Sequence, residues 1–196
     1  MPFRPPTTEP GSWLGYKEVE IKNVEDKGNS HPNLRKLDVA LNVNLEVKGN
    51  KYGLGLPIFG NFEWEDDGNI KPGPFLNALY FFFDTIGFKG GINIKGMWVD
   101  ENDVEIDNIV DYLNTNIIKY KENEYNYYAY LYKEINDKDG KAWTRAWRRV
   151  VPNTEEDIKK FKEYVNWSKA RGNLKEIGDA PKGAGPKVDG QAPQIG

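Results

Sequence analysis

The segment Leu37 to Val47 constrains this chain more than any other. Leu37, Val39, Leu41, Val43, Leu45 and Val47 alternate with Asp38, Ala40, Asn42, Asn44 and Glu46. A period of two places one set on a buried face and the other on a wet face, which is the pattern of a strand in a half-solvated sheet. Gly49-Asn50 then supplies a tight turn. The segment Tyr52 to Trp64 returns, carrying Gly53, Gly55, Pro57 and Gly60. Glycines inside a strand permit the bulges and strong coiling that a small barrel needs.

Around this hairpin the remaining elements can be read in order. Trp13 to Val24 predicts a strand, with Val19 and Ile21 on one side and Glu18, Glu20 and Lys22 on the other. Phe75 to Ile86 predicts a helix, since Leu76, Leu79, Tyr80 and Phe83 share helical spacing and Gly87 provides a stop. A second helix is expected across Ile106 to Ile117. Tyr125 to Tyr132 and Ala142 to Val151 predict a hairpin around a turn at Asn136–Gly140. Asn153 or Thr154 then caps a helix that begins with Glu155, Glu156 and Asp157 and ends with Lys169 and Arg171, the charge order that a helix dipole favours. Its inner stripe is Ile158, Phe161, Tyr164, Val165 and Ser168.

The resulting order is strand, strand, strand, helical insertion, strand, strand, helix. A β-rich α+β chain of this order predicts a five-stranded OB-fold barrel, with the helical insertion between strands 3 and 4 and a C-terminal helix. Its length of 196 residues suits one domain with appendages. Residues 1–12 read as a flexible arm, 13–177 as the domain, and 178–196, rich in Gly and Pro, as a disordered tail.

Composition removes several chemistries. The chain has no cysteine and a single histidine, His31. Thiolate sites, disulfides and multi-histidine metal centres are therefore excluded, and a histidine-dependent triad would rest on one loop residue. No stretch approaches the roughly 18 apolar residues of a membrane span, and the N-terminus lacks the apolar core of a signal peptide. The expectation is a soluble, cytoplasmic protein without cofactor or metal, and not an enzyme.

The net charge is -3, so whole-chain charge does not favour nucleic acid, but its distribution does. In the second hairpin Tyr128, Tyr130 and Tyr132 alternate on one face of the first strand. On the return strand Trp143, Arg145, Trp147 and Arg149 alternate ring and cation. Flat rings stack on unpaired bases and guanidinium groups hold phosphates, so this order predicts a surface for single-stranded nucleic acid. Lys133 and Lys141 near the turn are candidate phosphate contacts. Tyr52, Phe62 and Trp64 are candidate extensions of the platform, because an OB barrel presents its second and third strands to nucleic acid. The same rings could equally be core.

Two acidic clusters offer a different class of function. Asp100, Asp103, Glu105 and Asp107, or Glu63, Glu65, Asp66 and Asp67, are candidates for a metal-dependent nuclease. The first lacks the central glycine and final glutamate of a calcium loop. A carbohydrate- or protein-binding β domain is a third class, since aromatic platforms also stack on sugars.

The segments YKEVEIKNVE, GNSHPNL, FLNALYFFFDTIGF and YNYYAYLYKEINDKDGKAWTRAWRRVVP give the chain a resemblance, over residues 14–175, to phage-type single-stranded-DNA-binding proteins with an OB fold. The resemblance implies sequence-tolerant coating of single-stranded DNA, or RNA, in replication or recombination, with replication or recombination proteins and a further copy of the chain as partners and no membrane. It also implies host cytoplasm as the location. The tail APKGAGPKVDGQAPQIG departs from bacterial relatives, which end in an acidic segment with a hydrophobic tip.

Overall fold

The computed structural model describes residues 14–50, 53–119, 124–135, 140 and 142–174. The expected arm, tail and much of the 136–140 turn lie outside them. The chain is a β-rich α+β protein. Its main antiparallel sheet has five strands in the order β3-β2-β1-β6-β7. These are β1 (Gly15–Asp26), β2 (Val39–Val47), β3 (Gly53–Gly60), β6 (Tyr127–Ile135) and β7 (Ala142–Pro152). Between β3 and β6 lie α1 (Pro74–Ile86), a small hairpin of β4 (Gly91–Ile92) and β5 (Trp98–Val99), and α2 (Ile109–Leu113). Helix α3 (Glu155–Ala170) follows β7.

The alternation in β2 holds for Val39, Leu41, Val43, Leu45 and Val47, which are all buried, but Leu37 precedes the strand and is half-buried, and Ala40, expected on the wet face, is buried as well. Opposite them in β1, Val19, Ile21 and Val24 are buried although their numbering changes parity. A register shift between Ile21 and Asn23 accounts for this, because one extra residue flips the strand's faces. Glu20, expected on the wet face, is buried and accepts a 3.2 Å hydrogen bond from Lys22. Gly49 adopts φ 78° and the Asn50 N–H donates to the Val47 carbonyl at 2.9 Å, closing the first hairpin's turn.

Strand β3 is shorter than the sequence predicts. It ends at Gly60, so Phe62 and Trp64 are not strand residues. Edge strands β3 and β7, at opposite ends of the ladder, lie beside each other. The sheet therefore curls around a core, closed at one end by Leu79, Phe82, Phe83 and Ile86 of α1. Helix α1 stops where expected: Gly87 takes φ 80°, and the Phe88 N–H donates back to the Phe83 carbonyl at 2.9 Å. The Thr85 hydroxyl donates to the carbonyls of Phe81 (2.8 Å) and Val150 (3.2 Å), the latter tying α1 to β7.

The second predicted helix begins later, at Ile109, because the Asn108 side chain caps it by accepting from the Val110 and Asp111 N–H groups. It continues as a π-helical turn, Asn114–Ile118. There the Asn114 amide accepts from the Val24 N–H and donates to the Val24 carbonyl, both at 2.8 Å. One side chain thus replaces a missing strand partner beside the β1 bulge.

A second apolar cluster lies outside the curled sheet. Tyr130, Tyr132, Trp147 and Val151 pack beneath Phe161 and Val165 of α3 and Leu174. The Thr154 hydroxyl accepts from the Asp157 N–H and caps α3 as expected. Cations hold the helix from the side: Lys162 lies 5.5 Å from the Tyr16 ring centre and Lys169 4.5 Å from that of Tyr130.

Candidate nucleic-acid interface

The β6–β7 hairpin positions the candidate residues, and its register decides which face each occupies. Arg145 pairs with Tyr132 and Trp143 with Glu134. Directly opposed residues share a face, so Trp143 and Arg145 lie on the tyrosine side, away from the enclosed core. Between Ala129 and Leu131 the register jumps: these residues pair with Val150 and Ala146, so two steps on β6 match four on β7. Arg148 sits in this bulge at φ 39°. Strict alternation would have put it between Ala146 and Val150, inside the core. The bulge turns it out to solvent, where its guanidinium lies 4.7 Å from the Trp147 ring centre.

Burial divides the predicted aromatic face in two. Trp147, Tyr130 and Tyr132 are 5%, 7% and 8% exposed beneath α3. They are core, and no base can reach a ring face there. The sequence could not show this, because the covering helix is recruited from residues that follow the hairpin. Tyr132 and Trp147 meet edge to face at 5.7 Å. The Trp147 indole N–H and the Ser168 hydroxyl are buried without a hydrogen-bond partner among the described residues. Tyr128 is half-buried and stacks with Tyr16 at 6.1 Å. Arg149 is half-buried too, held 4.3 Å from the Phe81 ring and 4.1 Å from the Tyr164 ring.

The outer end of the hairpin escapes the helix. Trp143 is 50% exposed there. Arg145 forms an ion pair through Nε with Glu134, and its side chain is 45% exposed. Lys133 is half-buried on the opposite face, paired with Thr144. A cleft of about 350 Å³ lies at the seam between the edge strands, reaching Glu134, the cross-strand partner of Trp143. Gly55 and Pro57 of β3, Arg145 and Arg148 of β7, and Asn173 after α3 line it. Tyr132 lines it as well. Its hydroxyl donates to Glu134 at 3.0 Å, and burial, with that bond second, pushes its pKa up to about 12.

Beside the cleft, the outward face of β2 carries amides. Asn42 donates to Asn44 at 2.7 Å, and Asn44 donates to Asn23 at 2.6 Å. Gly55 makes room for this ladder, since a Cβ there would sit 2.6 Å from the Asn42 side-chain oxygen. Phe59, on the same face, is partly exposed. Arg148, Phe59 and the Asn42–Asn44 ladder are candidates that the sequence reading missed. The asparagines were visible only as the wet face of a strand, and Arg148 was hidden by the bulge.

The other predicted residues separate from this surface. Phe62 packs on Phe75 at 5.5 Å and Trp98 at 6.3 Å, at the end of the enclosed core. Trp64 is exposed but belongs to a bridge with Ile70 in the acidic loop after β3. Tyr52 and Lys141 lie outside the described residues. Among the described residues no group of three or more acidic or histidine side chains is arranged to hold a metal ion. Asp100 is engaged with backbone, accepting from the Asn102 (2.8 Å) and Val104 (3.0 Å) N–H groups. Among the described residues no helix is long and apolar enough to cross a membrane.

No protein-family model matches the chain, and no curated protein or solved structure shows a significant match to it.

Proposed function

We propose that this protein binds single-stranded DNA in the seam cleft and along the outer end of the β6–β7 hairpin, without catalysis. One observation carries the reading. Trp143, half-exposed, shares a face of the hairpin with Arg145, and Arg145 and Arg148 line a cleft together with the side-chain-poor segment Gly55–Pro57. A ring that offers a face and guanidiniums at phosphate distance from it are what an unpaired strand requires. A glycine–proline wall lets a polynucleotide approach the backbone closely.

The frame supports this reading. Five strands in the order β3-β2-β1-β6-β7, with the outer two side by side and a helix entering after the third, favour reading the sheet as an OB-type barrel. On that reading the amide ladder of β2 and the β3 side of the cleft belong to the second and third strands, the face such barrels use for nucleic acid. Coating of single strands in replication or recombination is the role proposed.

The test is fluorescence anisotropy of a labelled oligo-dT at two salt concentrations. Binding that weakens steeply with salt supports the proposal, because phosphate neutralisation releases counterions. No binding at low salt overturns it. Binding indifferent to salt would instead favour a sugar- or protein-binding platform. Trp143→Ala should weaken oligo-dT binding by about 5- to 150-fold, the equivalent of one base stack.

A further inference from the structure

Rings and cations also share a flank of α3 outside the lining of the seam cleft. Lys160, Tyr164, Trp167 and Arg171 recur every three or four residues and so share one side of the helix. Tyr164 and Trp167 stack at 6.2 Å with their planes 22° apart. Arg149 lies over Tyr164 at 4.1 Å, and Arg171 over Trp167 at 4.7 Å. Phe81 of α1 continues the series on the far side of Arg149, at 4.3 Å. Three separate elements thus supply one row: Phe81, Arg149, Tyr164, Trp167, Arg171.

The inner part of the row is fixed and the outer part is open. Arg149 and Tyr164 are half-buried, whereas Trp167 is 47% exposed and Arg171 is exposed. Among the described residues, the Trp167 ring stacks on Tyr164 and carries the guanidinium of Arg171, the exposed C-cap residue, whose long side chain can adopt other rotamers. A base can take that ring face while the Arg171 guanidinium moves to the adjoining phosphate. The row and the cleft are joined through the chain: Asn173, two residues beyond Arg171, lines the cleft, and Arg148, which also lines it, precedes Arg149 of the row.

We infer that the Tyr164–Trp167–Arg171 flank of α3 is a second stacking surface for unpaired bases, taking the continuation of a strand seated in the seam cleft. This rests on the proposed single-stranded-DNA binding and adds a path to it. A short oligonucleotide fills the cleft alone; a longer one reaches Trp167.

The 196-residue protein is titrated with oligo-dT of about 6 and about 20 nucleotides, one near the lower end of the roughly 4–16 nucleotides that one OB module covers and one beyond its upper end. Trp143→Ala is expected to weaken both. Trp167→Ala is expected to weaken the long one at least about fivefold and leave the short one unchanged, with Trp167→Phe restoring most of the loss. Crosslinking with long oligonucleotides carrying 5-iododeoxyuridine should mark the peptide containing Trp167. The inference is overturned if Trp167→Ala leaves the long oligonucleotide's affinity intact while Trp143→Ala weakens it. It is overturned equally if both lengths lose the same amount, which would place Trp167 in the primary cleft. Failure of the wild-type protein to bind either length would instead overturn the primary reading.

Discussion

The guanidinium of Arg149 lies 4.1 Å from the Tyr164 ring and 4.3 Å from that of Phe81, bridging α3 and α1 across β7. A residue predicted to hold phosphate is therefore a joint between three elements. A partly desolvated cation–π contact contributes about 0.5–2 kcal/mol. Arg149→Met, which keeps the stem and removes the charge, should lower unfolding free energy by about 1–2 kcal/mol in urea titrations. Stability unchanged by the substitution would return Arg149 to the ligand surface.

Trp143 and Trp147 should respond oppositely to truncation. Trp147→Ala opens a cavity under α3 and should cost about 3–5 kcal/mol of stability. Trp143→Ala should stay within about 0.5 kcal/mol of wild type, as solvent-facing substitutions usually do. Thermal denaturation of both variants beside oligo-dT titration separates core from surface. Equal destabilisation by the two would contradict the register described for β7.

Arg148→Gly isolates a charge from the fold. Its φ of 39° strains an L-residue by about 1–2 kcal/mol, which glycine relieves. Against this stand the lost contact over Trp147 and glycine's greater unfolded-state freedom, each about 0.5–1 kcal/mol. Stability should consequently remain within about 1 kcal/mol of wild type. DNA affinity should fall, and the slope of log affinity against log salt should shrink by about 0.7, the value of one phosphate contact on a single strand. An unchanged slope would remove Arg148 from the interface.

Tyr132 makes the fold sensitive to alkali. Its folded pKa is raised from 10.0 to about 12, first by burial and then by its hydrogen bond to Glu134. The folded protein therefore holds this proton where the unfolded chain releases it. The associated stability is present below pH 10 and is lost as pH rises through 10 toward 12. Tyr127, raised by burial, acts in the same direction. Tyr132→Phe should flatten the decline of stability between about pH 9.5 and 11, measured by urea denaturation. An unaltered slope would assign the decline to other groups.

Much of the frame was legible in the chain. The alternation of β2 named its buried residues, Gly87 marked the end of α1, and Thr154 with its acidic first turn marked the start of α3. Those signals are local: a side-chain period, a residue that tolerates φ of 80°, a hydroxyl placed to cap. β3 ends at Gly60, earlier than expected, where its pairing with β2 ends at Val39, and Trp64 bridges Ile70 in a separate loop.

The candidate site was legible only in part, and the reason is physical. Sequence determined that Tyr128, Tyr130 and Tyr132 share a face and that Trp143 and Arg145 stand near the hairpin's end. It did not determine which solvent that face meets. Helix α3 covers Tyr130, Tyr132 and Trp147 and stops short of Trp143, so one continuous pattern becomes core at one end and surface at the other. A β-face presents the same alternation to water and to a packed helix, and only tertiary contact distinguishes them. The bulge at Arg148 and the meeting of Arg149 with Tyr164 and Phe81 were decided in the same way, by partners distant in sequence whose approach no local period encodes.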